Sequence, residues 1–153
     1  MTSLQTMMAF FAGSPKRQIS ALPGLPFDRG ARGFYEDFNH NPLLILINAF
    51  QEESWHQDYE SWETFLARTG ISDNFTLETN AYAELQCLIY LVTNFVLGNG
   101  DSLLTQKGLE REVAWKLVRR LSQLTLDELG WSNSFENEAL DIIIKNFERQ
   151  KEF

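Results

Sequence analysis

Apolar side chains recur every three or four positions along most of the chain after residue 34, which is the period of an amphipathic helix. In residues 77–96 the apolar positions form one continuous face: Leu77, Ala81, Leu85, Leu88, Val92, Phe95 and Val96. Residues 87–92 are apolar nearly all round, Cys87 included. A helix of this kind needs neighbours on several sides, so we predict that it lies at the centre of the core, with Leu88 and Val92 buried.

Two more helices are predicted towards the C-terminus. The first has a stripe that we expect to face the core, consisting of Val113, Leu117, Leu121 and Leu124 with Ala114 and Val118 beside it. The stripe of the second consists of Leu140, Ile143, Ile144 and Phe147. Lys116, Arg119 and Arg120 then form the solvated side of the first of these helices.

Capping residues and glycines predict where the helices begin and end. Asn41 followed by Pro42 favours a helix start, and Asn133 with Glu136 resembles a capping box. Gly130 favours a helix end. Residues 42–70 are predicted to form either one long helix or two helices with a break near Gln57 and Asp58. Further predicted boundaries are ends at Gly70 and Gly98, starts at Thr76 and at Asp101 or Ser102, and a division at Gly108. The apolar run 43–47 also fits a buried strand, and this alternative stays open.

The first 33 residues have a different character. Residues 13–33 contain three of the four prolines and four of the nine glycines, a density that argues against helix. We predict an extended, irregular leader over residues 1–33, with one short helix at 4–12. Leu22, Leu25 and Phe27 are candidates for docking on the core. The fold class is therefore predicted as all-α, a single irregular bundle of about four to six helices over residues 34–153.

Composition narrows the class of protein. The 153 residues are 44% hydrophobic and 22% charged, which excludes a disordered or collagen-like chain. The single cysteine, Cys87, excludes an intrachain disulfide and is expected to be a small core residue. A membrane-spanning helix needs about 20 apolar residues, and no stretch of the sequence approaches that length. The apolar run 7–12 is not preceded by the positive charge that a signal peptide requires. We expect a cytoplasmic protein with no membrane partner.

Charge is distributed unevenly along the chain. Residues 1–33 carry a net charge of +3, residues 34–106 carry −10 with Arg68 as their only base, and residues 107–153 carry −1. The total of −8 makes nucleic acid an unlikely partner. Two arginines in the Arg-Gly segment 29–33 are a weak signal for RNA binding, and a flexible or docked leader is the simpler interpretation.

The densest part of the acidic block combines carboxylates with aromatic residues. Within residues 52–63 there is no lysine or arginine, and aromatic anchors beside dense negative charge suit a cationic protein surface. We predict that the partner-binding residues are Glu52, Glu53, Trp55, Asp58, Glu60, Trp62 and Glu63. An aromatic stripe at helical spacing is also typical of core, and this interpretation competes with the first.

The same segment offers a weaker metal-binding pattern. Glu53, His56, Glu60 and Glu63 share one face of a helix, and a Glu-x-x-His pair occurs in di-iron carboxylate bundles. The chain lacks a clear second pair, because Asp37 and His40 precede the Asn41 helix start. We therefore predict no metal, no cofactor and no catalytic residue.

The common nucleotide-binding and hydrolase motifs are absent from the sequence. The leading hypothesis is a small acidic, non-enzymatic binding protein, an inhibitor or immunity-type protein that covers a basic site on another protein. Two alternatives remain: a regulatory or structural adaptor, and a metal-dependent enzyme that uses the Glu/His face.

Overall fold

The fold is all-α, as predicted. The computed structural model describes residues 2–28, 40–55, 84–94 and 103–151. Of these residues 79% are helical, and they contain no strand. Their seven helices are α1 (Ser3–Ala12), α2 (Pro15–Ala21), α3 (Pro42–Trp55), α4 (84–94), α5 (Gln106–Arg111), α6 (Val113–Leu129) and α7 (Asn137–Lys151). Five of the seven lie within residues 34–153, for which four to six helices were predicted.

Helix α1 is capped at both ends by side chains. Thr2 and Gln5 form a reciprocal capping box. The backbone N–H of Gln5 donates to Thr2 Oγ1 at 3.2 Å, and the backbone N–H of Thr2 donates to Gln5 Oε1 at 2.7 Å. At the other end, Gln18 Nε2 donates to the carbonyl oxygens of Phe10 and Phe11. These bonds satisfy polar backbone groups that would otherwise be buried without partners.

Helix α1 occupies the position in the core that the sequence pattern gave to residues 87–92. It packs against α6, α3 and α7. The centroid of the Phe11 ring lies 5.1 Å from that of Phe50 and 6.3 Å from that of Trp115. In α4, Leu88 and Val92 are buried as predicted, but Tyr90 is 73% exposed. Cys87 is exposed as well, which corrects its expected place in the core.

Helix α2 lies within the segment that was expected to be irregular. Ser14 caps it by accepting from the Arg17 amide at 3.2 Å, and Pro15 stands at the first helical position, where its missing N–H has no consequence. Pro15 therefore marks a helix start, whereas Pro23 and Pro26 lie in the non-helical stretch 22–28. Of the docking candidates, Leu22 and Leu25 are buried, whereas Phe27 is 57% exposed.

Helix α3 begins at the predicted site. Asn41 Oδ1 accepts from the amides of Leu43 and Leu44, and Pro42 opens the helix. The strand alternative for residues 43–47 is thereby excluded. Asn41 also ties this helix to a distant segment, because its Nδ2 donates to the Leu104 carbonyl at 2.9 Å.

The division between α5 and α6 falls at Glu112 and not at Gly108. Thr105 caps α5 by accepting from the Gly108 amide, which places the glycine inside that helix. Glu112 is extended (φ −74°, ψ 131°) and ends α5 while opening α6. The chain turns here because an extended residue interrupts the helical backbone.

The buried face of α6 differs from the predicted stripe. The buried residues of α6 are Trp115, Val118, Ser122, Thr125 and Leu126, while Val113, Leu117 and Leu124 are exposed and Leu121 is half-buried. The indole of Trp115 decides the orientation, because it is fully buried and its Nε1 donates to the Leu103 carbonyl at 2.7 Å.

The turn between α6 and α7 confirms one prediction and corrects another. Gly130 ends α6 with φ +70°, a left-handed conformation that glycine adopts without strain. The capping box at Asn133 does not form: α7 begins at Asn137, and Asn133 Nδ2 donates to Gln123 Oε1 instead. Leu140 is buried, and Ile143, Ile144 and Phe147 pack against the core as predicted.

Several predicted features lie outside the described residues. They are the boundary between residues 33 and 34, the break near Gln57 and Asp58, the cap at Thr76, the helix ends at Gly70 and Gly98, the start at Asp101 or Ser102, and the Arg-Gly segment 29–33.

Candidate functional site

The acidic and aromatic segment is described only at its beginning. Glu52 lies exposed near the end of α3 and Glu53 is half-buried. The backbone of Trp55 belongs to α3, and its side chain lies outside the described part, as do Asp58, Glu60, Trp62 and Glu63. The structure therefore places one predicted carboxylate at the surface and leaves the grouping of the other residues a prediction.

The residues of the metal-binding alternative are also described only in part. Glu53 is described, whereas His56, Glu60 and Glu63 are not. Within the described ranges, no three histidine, cysteine, aspartate or glutamate side chains come together in a way that could hold a metal ion. His40, the other histidine, is exposed.

A pair of carboxyl groups that the sequence analysis did not identify joins α4 to α6. Glu84 of α4 lies beside Glu128 in the last turn of α6, and Thr125, whose hydroxyl donates to the Leu121 carbonyl at 2.9 Å, is close to both. The Oε2 atoms of both glutamates are buried, and no donor group of the described residues hydrogen-bonds to either atom. Since ionised carboxylates only accept, the two groups can hydrogen-bond to each other only when one of them carries a proton.

The environment of this pair favours that proton. Burial, then the hydrogen bond to Glu128 and the negative charge of Glu128, raise the pKa of Glu84 to about 7, while the hydrogen bond to Thr125 acts in the opposite direction. The protonation state of Glu84 therefore changes near neutral pH. The two glutamates are 44 residues apart in the sequence, so no local spacing pattern predicts that they meet.

Two arginines, Arg17 and the Arg119 that was predicted to be solvated, connect distant segments of the chain. Arg17 lies over the Phe135 ring at 4.0 Å, and its Nη2 donates to the Phe135 carbonyl at 2.8 Å. Arg119 donates from Nε to Gln18 Oε1 at 3.0 Å and from Nη2 to the Leu109 carbonyl. Partial burial lowers the pKa of Arg119 from its ordinary value. Of the predicted basic cluster, only Lys116 and Arg120 remain exposed.

The outward face of α6 is the clearest apolar surface feature of the described residues. It consists of Val113, Leu117 and Leu124, which are 64%, 52% and 47% exposed, with Lys116 and Arg120 among them. At 100° per residue these three side chains lie on the opposite side of the helix from Trp115 and Ser122. The sequence contained the signal for this arrangement, because α6 has apolar residues on two opposite faces and only one can face the core.

A depression of 640 Å³ lies between α2 and α5, lined by Ser14, Pro15, Lys16, Ile19, Ser20, Gln106 and Glu110. It is wide open to solvent. Ligand sites usually bury most of the ligand surface in a concave, mainly apolar cavity, and this shape does not.

Comparison with known proteins found no matching family model, no matching curated protein and no matching solved structure. The part of the chain that the structure describes has no helix with the length and apolar character required to cross a membrane. The function is therefore inferred from the residues of the chain itself.

Proposed function

We propose that this chain is a small acidic protein that works by binding, not by catalysis, and that its partner is another protein with a basic surface. The observation that carries the proposal is the charge of residues 34–106, eleven acids against one base. Such a segment steers a cationic partner towards it and slows approach of anionic ones. An inhibitor that covers a basic site would have this charge pattern, and a cytoplasmic location belongs to the same proposal.

The described residues support this proposal at Glu52. Its carboxylate is exposed on α3, a helix that packs against α1 and α7 and so holds the charge on a rigid element. An exposed carboxylate contributes little to folding stability, whereas it contributes to the long-range attraction of a cationic partner.

One variant tests the proposal: Glu52→Gln, Glu60→Gln and Glu63→Gln combined. We expect weaker capture of the cellular partner in a low-salt pull-down read by mass spectrometry, and a nearly unchanged melting temperature. The matched control changes three exposed glutamates outside the acidic block, Glu110, Glu136 and Glu138, to glutamine. It carries the same net charge, so a difference between the two variants reports position and not total charge.

Other outcomes identify the alternatives. Equal capture by both variants would remove residues 52–63 as the binding surface. Capture that persists at high ionic strength would favour the adaptor, since a charge-steered complex weakens with salt. A stoichiometric metal ion in the wild type that the triple variant lacks would favour the metal-dependent enzyme.

A further inference from the structure

We draw no further inference here: the strongest candidate, the side-chain cluster of Glu84 on α4 with Glu128 and Thr125 on α6, is an acidic pair already described above, and nothing else in the described residues points to a ligand between the two carboxyl groups.

Discussion

Helices α1 and α6 pack against each other, but they use their apolar residues in different ways. Seven of the ten residues of α1 are buried, on all sides of the helix. In α6 five of seventeen are buried, and three aliphatic residues point away from the core. The surroundings explain the difference, because α1 has α3, α6 and α7 around it. Apolar content alone does not tell whether a side chain is buried.

The largest loss of stability is expected from a substitution that removes contacts of α1. Phe11→Ala removes a fully buried ring that contacts Phe10, Phe50 and Trp115. The loss of apolar contact and the cavity left behind should lower the free energy of unfolding by about 3–5 kcal/mol. Leu124→Ala on the outward face of α6 should change it by less than about 0.5 kcal/mol. Equal losses of unfolding free energy for the two variants, measured by urea denaturation, would contradict this difference between α1 and the outward face of α6.

An intermediate effect is expected at Gln18, which connects the same two helices. Its side chain is fully buried, donates to two carbonyls of α1 and accepts from Arg119 of α6. Gln18→Leu keeps the volume but leaves these groups unpaired, which should cost about 3 kcal/mol. Ser20→Ala on the exposed side of α2 is the control. A stable Gln18→Leu protein would mean that water or another donor replaces the amide.

The smallest effect concerns the pH dependence of the contact between α4 and α6. Glu84 has its pKa raised from 4.5 to about 7 in the folded protein, so the folded chain binds this proton more tightly than the unfolded chain does. The contribution of Glu84 to stability should therefore be largest below pH 4.5 and fall as the pH rises towards 7 and above.

Glu84→Gln tests this sign. The amide donates to Glu128 at every pH, so the variant should melt higher than the wild type at pH 8 and show a flatter profile between pH 5 and pH 8, the window on either side of the raised pKa of about 7. Glu110→Gln, at an exposed glutamate of α5, should keep the wild-type slope. An unchanged slope in Glu84→Gln would show that other groups cause the pH dependence.

The candidate surfaces differ in how well the sequence predicts them. The acidic block is visible directly, because charge adds up along the chain. The outward stripe of α6 is visible only as an excess of apolar residues, and the prediction assigned that stripe to the core. The carboxyl pair gives no sequence signal, because its members meet only after α4 and α6 pack together.

Local signals in the sequence determined the start of α3 at Asn41 and Pro42 and the end of α6 at Gly130, since caps and left-handed turns involve only neighbouring residues. They also determined the all-α class, through the helical period. Local chemistry at Ser14 and Pro15 allowed α2 as well, but the proline density concealed it.

The tertiary structure decided which apolar run lies innermost and which face of α6 is buried. Residues 7–11 and 87–92 are both apolar nearly all round, and only the packing of α3, α6 and α7 around α1 distinguishes them. On α6 the fully buried indole of Trp115 takes the core side, so Leu117 and Leu124 face outward. Burial depends on which surfaces meet, and residues far apart in the chain supply those surfaces.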